Sequence, residues 1–216
     1  MRIVVLVKQV PDPNTVVYQI DPGTKRLVRE GVANVLDPGA EVALEAALQL
    51  AEKDGNSTVT VLSMGPEDAV DAIRRALAMG ANDGALVTDD ALEGSDALST
   101  AKALAAALKE IEYDIIFSAT ESTDGYSGMV PGMVAELLGI PHLSFIRTLD
   151  IQNGTLTGQR VTANDGELGE QHLRRRLGEA EVRAFLDVQR PYLELGFELS
   201  RRHPQSVALR RLPADG

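Results

Sequence analysis

Four short apolar runs, each followed by a helical pattern, constrain the fold of this chain more than any other feature of its sequence. The runs are rich in Val, Ile and Leu and cover residues 2–8, 57–64, 84–88 and 113–119. Runs of this kind are typical of buried strands, and their alternation with helices is the pattern of a parallel sheet. Because parallel crossover connections are right-handed, we expect an α/β fold of Rossmann-like type, an open and mostly parallel sheet with helices on both faces.

The helix that follows the first run has the clearest start signal. Asp37 stands at the N-cap position with Pro38 directly after it, and apolar residues then recur at helical spacing. A second helix is predicted after Gly65-Pro66 and a third after Ser95, which we expect to be its N-cap. A fourth is predicted to end at Gly139, since glycine commonly terminates helices.

The sequence changes character near residue 170. Before this point, the Asn153-Gly154 pair separates two strand-like segments and predicts a C-terminal β-hairpin. After it, every basic residue is Arg, and residues 170–189 have a helical pattern. We therefore expect an α/β domain of residues 1–165 followed by an atypical, Arg-rich tail of residues 166–216.

Composition disfavours several classes of function. The chain of 216 residues has no cysteine, which excludes disulfides, thiolate catalysis and cysteine-ligated clusters. A net charge of −11 argues against nucleic acid as a partner, because phosphate backbones are bound by clustered Lys and Arg. The apolar runs are too short for a membrane span or a secretory signal, so we expect a cytoplasmic protein without membrane insertion.

A long polar segment after the fourth run, FSATESTDGYSGM at residues 117–129, is the main candidate for a binding site. In open α/β sheets, ligands bind at the carboxyl ends of the strands, and this segment leads from such an end into a helix. Its backbone amides, with Gly125 and Gly128 able to take positive φ, predict an anion site that suits a phosphate. From these residues alone, an ordinary solvated loop is an equally good interpretation.

No catalytic constellation accompanies this segment, and we expect neither a catalytic residue nor a metal site. The sequence has no GxxxxGK[ST] and no GxGxxG after its first strand, and its three histidines are far apart. We interpret His142 as a packing or surface residue. Glu121 and Asp124 could form an acid–base pair, but acids in polar loops more often serve as caps and solvated charges. A hydrolase that uses Ser127 or Asp124 ranks last, because no base or oxyanion partner accompanies either residue.

Four segments resemble the beta subunit of electron-transfer flavoproteins. They are IVVLVKQVPD, VANVLDPGAEVALEAAL, VTVLSMGPEDAVDAIRRALAMGANDGALVTDD and YDIIFSATESTDGYSGMVPGMVAELLGIPHLS, and the resemblance covers residues 2–161. It implies a Rossmann-like domain that binds an adenine nucleotide. It also implies an electron-carrier subunit rather than an enzyme, which binds a structural AMP and works with an alpha subunit that holds the redox FAD.

The resemblance also implies which residues contact AMP. They are Leu6, Asp37, Pro38, Gly39, Ala40, Met64, Ala119, Thr120, Glu121, Ser122, Thr123, Asp124, Gly125, Tyr126, Ser127, Gly128, Met129 and Val130. The backbone amides of residues 123–128 would take the phosphate, while Leu6 and Met64 would flank the adenine or ribose. Asp37 replaces the Asn of many relatives, and a carboxylate near a phosphate is unfavourable unless it caps the helix.

The partners implied by the resemblance act through the heterodimer. It would accept electrons from acyl-CoA-type dehydrogenases and pass them to a quinone reductase or a similar acceptor. In an electron-bifurcating branch of the family a second FAD replaces AMP, and the sequence does not decide between the two. A stand-alone nucleotide-binding module, which resembles universal-stress-type proteins and has no redox activity, is the alternative function.

The family's apolar strand, recognition segment and C-terminal arm are not recognisable after residue 165. A divergent tail and a change of reading frame near this residue both explain the difference, and the Arg bias favours the second. A frame change would leave the nucleotide-binding domain with a lost strand and compromise partner docking. The missing tail favours the stand-alone module, whereas the N-terminal block favours the electron-transfer subunit.

Overall fold

The secondary structure follows the predicted alternation of strands and helices. A computed structural model describes residues 1–29, 31–152, 155–164, 167–176, 184–188 and 209–211. The strands are β1 (Arg2–Val7), β2 (Gln9–Pro11), β3 (Asn34–Leu36), β4 (Thr58–Met64), β5 (Asp83–Val87), β6 (Ile115–Ala119), β7 (His142–Gln152), β8 (Thr155–Asn164), β9 (Glu167–Arg176), β10 (Ala184–Val188) and β11 (Leu209–Arg211). The helices are α1 (Pro38–Asp54), α2 (Val70–Met79), α3 (Ala97–Lys109) and α4 (Val130–Leu138).

Within the described residues, nine of the strands form one open sheet in the order β11-β5-β4-β1-β6-β10-β7-β8-β9. The strands from β11 to β7 run parallel to one another, and β8 and β9 are antiparallel additions at one edge. This topology confirms the predicted open, mostly parallel α/β sheet. The antiparallel pairing of β7 with β8 confirms the hairpin, although its Asn153-Gly154 turn lies outside the described residues.

Helices cover both faces of the sheet. Since alternate residues of each strand point to opposite sides, the same strand contributes to a core on each face. On one face, Val5 and Val61 belong to the core formed with α1 and α2. On the other face, Val4 and Ile116 belong to the core formed with α3 and α4. No helix in the described part of the chain combines the length and the apolar character that crossing a bilayer requires.

Helix ends confirm most of the predicted signals. Asp37 is the N-cap of α1, Pro38 is in its first turn, and Gly139 ends α4 in the left-handed conformation with φ 65°. The prediction that Ser95 caps α3 is wrong, because the N-cap is Asp96, whose carboxylate accepts a hydrogen bond from the Ser99 amide at 2.7 Å. Two neighbouring residues with capping side chains competed for this position, and spacing alone does not distinguish them.

The C-terminal part of the chain contributes to the core of the sheet. The prediction of a helix over residues 170–189 is wrong, since residues 170–176 belong to β9 and residues 184–188 form β10. A frame change was expected to remove a strand from the sheet. The structure instead has β10 between β6 and β7, and all five of its residues are buried. Pairing with these two strands, which are distant in sequence, overrides the local helical pattern.

Candidate functional site

The residues implied to contact AMP come together at the carboxyl ends of the parallel strands. Leu6 lies near the end of β1, opposite Ser118 of β6, and Met64 ends β4. Met64 and Val130 both pack against the hydrophobic cluster that contains Leu6. The strands thus provide an apolar wall beside the loop of residues 120–129, which connects β6 to α4 and which we call the β6–α4 loop.

Asp37 connects the start of α1 to the β6–α4 loop. Its carboxylate is buried, with 1% of the residue exposed, and Oδ1 accepts hydrogen bonds from the amides of Gly39 at 2.7 Å and Ala40 at 3.2 Å. Oδ2 accepts from the Thr123 amide at 2.7 Å and from Thr123 Oγ1 at 2.9 Å. Asp37 therefore caps the helix as predicted, and it also holds the middle of the loop.

A close approach of α1 to β6 explains why a glycine follows Pro38. A Cβ atom on Gly39 would lie 3.0 Å from the Cβ of Ala119 and 2.9 Å from Asp37 Oδ1. Contacts this short require the neighbouring atoms to shift, and Asp37 Oδ1 is held in place by the hydrogen bonds of the cap. Gly39 thus allows the first turn of α1 to pack directly against the end of β6, next to the candidate site.

The backbone amides of the β6–α4 loop fall into two groups. The amides of Thr123 and Tyr126 already donate to protein acceptors, to Asp37 Oδ2 and to the Ser122 carbonyl at 3.0 Å. Within the described residues, the other four amides of residues 123–128, those of Asp124, Gly125, Ser127 and Gly128, donate to no protein acceptor. These four amides are thus available to a ligand, which narrows the predicted set of residues 123–128.

The conformation of this loop differs in one respect from the prediction. Gly128 has a positive φ of 61°, as expected, but the second positive value belongs to Tyr126 at 47° and not to Gly125. The expectation for Gly125 is therefore wrong. An aromatic residue in the left-handed region is uncommon, and here the Tyr126 amide is fixed by its hydrogen bond to Ser122.

Asp124 is the electrostatic centre of the loop. Its side chain is 0% exposed and lies between Lys8, whose Nζ is 2.7 Å from Oδ1, and Arg29, whose Nη2 is 2.5 Å from Oδ2. Burial raises the pKa of Asp124, but the charge and hydrogen bond of Lys8 and the hydrogen bonds from Arg29 and Ser122 outweigh it, and the pKa falls to about 2. The interpretation of Asp124 as a solvated charge is therefore wrong, whereas Glu121 is exposed.

Lys8 and Arg29 were not predicted to belong to the site. Lys8 directly follows β1, so the rule that ligands bind at carboxyl ends of strands carries a signal for it. Arg29 gives no local signal, because it lies between β2 and β3 and its partner Asp124 is 95 residues away. Such a contact follows only from the folded chain.

The start of the β6–α4 loop is held by β10. Thr120 Oγ1 donates to Asp187 Oδ1 at 2.7 Å, and the Thr120 amide donates to the Val188 carbonyl at 3.3 Å. The same carboxylate lies 2.7 Å from Nε2 of His142. Asp187 was missed because its segment was interpreted as a helix. Its signal in the sequence is an acid inside the otherwise apolar run AFLDV.

Comparison with known proteins identifies the family. The electron transfer flavoprotein domain matches residues 24–166. The chain is 44% identical over 170 residues to the electron transfer flavoprotein subunit beta of Thermoanaerobacterium thermosaccharolyticum, covering 79% of this chain and 64% of that protein. It is 45% identical over 166 residues to the protein of the same name from Mycobacterium leprae, covering 74% and 62% of the two chains.

A third relative has a more specific name. The chain is 37% identical over 154 residues to the caffeyl-CoA reductase-Etf complex subunit CarD of Acetobacterium woodii, covering 71% of this chain and 58% of that protein. The chain thus spans less than two thirds of the length of each of these relatives. The family match covers both the loop of residues 120–129 and the start of α1. This chain belongs to the electron transfer flavoprotein domain family.

Proposed function

We propose that this chain is a beta-type subunit of an electron-transfer flavoprotein that binds a structural AMP at the β6–α4 loop. With an FAD-carrying alpha subunit, it would transfer electrons from acyl-CoA-type dehydrogenases to a quinone reductase or a similar acceptor. Family membership and the names of the relatives support this role. On this proposal the chain is an electron-carrier subunit and not an enzyme by itself.

The observation that carries the nucleotide site is the group of unpaired amides of Asp124, Gly125, Ser127 and Gly128. They precede α4, whose N-cap residue Met129 makes no side-chain capping hydrogen bond. Helix N-termini with unpaired amides favour anions, because amide donors and the helix dipole act together. The start of α1, by contrast, is already capped by Asp37. A phosphate would therefore bind at the start of α4 and not at that of α1.

The side chains around these amides fit a nucleotide. Lys8 and Arg29 supply positive charge next to the loop, and both are partly exposed. Leu6 and Met64 supply apolar surface for the adenine or ribose. The flavin, when bound with the alpha subunit, would supply the redox chemistry. The residues of this chain would bind the nucleotide, orient it and shape the protein surface next to it.

The C-terminal residues belong to this proposal in a revised form. We propose that residues 1–165 form the nucleotide-binding domain and that β10 completes its sheet. Five buried residues that pair in register with β6, three of which also pair with β7, support a native, divergent tail over a change of reading frame. A random continuation would rarely supply a strand that fills the centre of a sheet.

Co-expression with a candidate alpha subunit tests the proposed function. We expect purification through a tag on this chain to give a yellow heterodimer that releases FAD and AMP when denatured. Visible absorption and mass spectrometry of the released nucleotides measure both, and the alpha subunit expressed alone is the control. A colourless single chain that releases AMP would contradict the electron-transfer role and support the stand-alone module. Release of a second FAD instead of AMP would place the chain in the bifurcating branch.

A pair of substitutions at Gly125 tests the phosphate loop. Gly125→Pro removes one of the unpaired amides and should weaken AMP binding about tenfold or more, because hydrogen bonds to charged groups are strong. Gly125→Ala is the matched control. It keeps the amide, and its Cβ would lie 3.5 Å from Ser122 Oγ, an ordinary contact. Calorimetric titration with AMP measures both variants, and equal affinity of the Pro variant and the wild type would exclude this amide from the site.

A further inference from the structure

Asp187 is a buried acid whose carboxylate joins the start of the β6–α4 loop to two residues of β7. The residue is 2% exposed, and the other four residues of β10 are buried and apolar. Oδ1 accepts from Thr120 Oγ1 at 2.7 Å and from the Phe145 amide at 2.8 Å, while Oδ2 lies 2.7 Å from His142 Nε2. A buried carboxylate is costly unless such partners compensate it. Its presence inside an apolar strand therefore calls for a role that an apolar residue cannot fill.

The first role of this carboxylate is to support a distorted part of β7. The register between β10 and β7 shifts between Leu186 and Val188, so that Asp187 lies at the irregularity. Opposite it, Phe145 has a positive φ of 59°. A bulky residue is strained in this region and needs support from its surroundings. The hydrogen bond from its amide to Asp187 provides that support.

The second role concerns the two ends of the β6–α4 loop. Thr120, bonded to Asp187 through its hydroxyl, is the first residue of this loop. His142, bonded to the other carboxylate oxygen, packs against the first turn of α4, since a Cβ on Gly132 would lie 3.5 Å from Nδ1. Its ring also meets that of Phe185 edge-on, with centroids 5.6 Å apart. The Asp187–His142 pair thus spans the distance between the start of the loop and the helix that follows it.

We propose that Asp187 and His142 are positioning residues for the β6–α4 loop, which set the separation of its two ends and thereby the arrangement of its unpaired amides. This inference rests on the proposed nucleotide site. Asp37 holds the middle of the loop through Thr123, whereas Asp187 holds its start through Thr120. With both anchors in place, the amides are ordered before the phosphate arrives, so binding costs less conformational entropy.

Three variants of the full-length chain test this role. Thr120→Val removes the hydroxyl at nearly constant volume, Thr120→Ser keeps it, and Asp187→Asn removes the charge that faces His142. Asp114→Asn is the matched control, since the Asp114 carboxylate also accepts from a backbone amide and a basic side chain, both of Arg2, at the amino ends of β1 and β6. Each variant is studied by hydrogen exchange of residues 120–129 and by calorimetric titration with AMP.

We expect Thr120→Val and Asp187→Asn to accelerate hydrogen exchange in the loop and to weaken AMP binding, each about tenfold. The effects should add in their double variant, because Asp187→Asn keeps an oxygen that can accept from the Thr120 hydroxyl and changes the atom that faces His142. Thr120→Ser should restore the wild-type values, and Asp114→Asn should leave the loop unchanged. The rescue matters because a merely structural defect in β10 would not respond to the hydroxyl of Thr120.

Two results would overturn the inference. One is unchanged hydrogen exchange of the loop in Thr120→Val, a substitution directly after the carboxyl end of β6 that leaves β10 intact. The other is an equal acceleration in Asp114→Asn. Wild-type protein that binds no AMP would instead contradict the proposed function, while accelerated exchange in Thr120→Val and its reversal in Thr120→Ser would still support the positioning role.

Discussion

Asp37→Ala should lower the free energy of unfolding by about 3 kcal/mol, the largest effect that we expect from a single substitution at the site. Loss of a helix N-cap costs about 1 kcal/mol. The remainder comes from Thr123, whose amide and hydroxyl both donate to Asp37 Oδ2 and would lose their acceptor in a partly buried position. Donors left without an acceptor in such a place cost about 1–3 kcal/mol.

Urea unfolding followed by circular dichroism measures this loss, with Asp96→Ala as the control. Asp96 is also an N-cap, but it is exposed and its carboxylate serves only the first turn of α3 through the Ser99 amide. The control should lose about 1 kcal/mol. Equal losses in the two variants would contradict the second role of Asp37, which is to anchor the loop.

Asp37→Asn separates charge from hydrogen bonding at the same position. From the sequence alone, this change is expected to strengthen AMP binding or leave it unchanged, because it removes a negative charge near the phosphate. The structure reverses this expectation. An Asn whose Oδ1 keeps the cap would present its NH2 group to the Thr123 amide, and two donors cannot pair. We therefore expect weaker AMP binding in this variant, through a displaced loop.

The parts of the fold that the sequence predicted correctly depend on local signals. The Asp37-Pro38 cap and the Gly139 terminator act through hydrogen bonds and φ angles within one turn of their helices, so their residue types suffice. The buried strand β1 was equally clear, because residues of a central parallel strand are apolar on both faces.

The parts that were wrong depend on contacts between distant residues. β10 is a strand because β6 and β7 pair with it, and its sequence AFLDV does not distinguish a short buried strand from a turn of helix. The positive φ of Tyr126 also depends on a contact and not on residue preference, since the Tyr126 amide donates to the Ser122 carbonyl where the loop turns. Sequence reasoning assigned that conformation to Gly125 because glycine adopts it most easily.

In the candidate site, too, some features follow from the order of elements and others only from contacts between distant residues. Its position at the carboxyl ends of the strands was predictable from the order of elements. The charge balance of the site was not predictable, because Arg29, which pairs with Asp124, comes from the connection between β2 and β3, 95 residues away in sequence. Without that partner and Lys8, an acid in a polar loop gives no reason to expect a buried, ionised carboxylate.

Asp124→Asn should lower the free energy of unfolding by about 2 kcal/mol at pH 7, and this loss should disappear in acid. The pKa of Asp124 is about 2 in the folded protein, compared with 3.8 for the unperturbed group. A lowered pKa stabilises the fold fully above the unfolded value, and the contribution is lost as the pH falls through the folded value. About half of it should be gone near pH 3. Lys8 and Arg29 are half exposed and regain water in the variant, which limits the cost.

Urea unfolding at pH 7, pH 5 and pH 3 follows the difference between Asp124→Asn and the wild type. Asp71→Asn is the control, because Asp71 pairs with Arg74 on an exposed helix face where ion pairs contribute less than about 1 kcal/mol. An electrostatic contribution must shrink in acid, since protonation removes the charge from the wild type as well. A loss of packing has no such dependence. A difference that stays constant from pH 7 to pH 3 would therefore show that Asp124 stabilises the loop by its shape and its neutral hydrogen bonds, and not by the charges of Lys8 and Arg29.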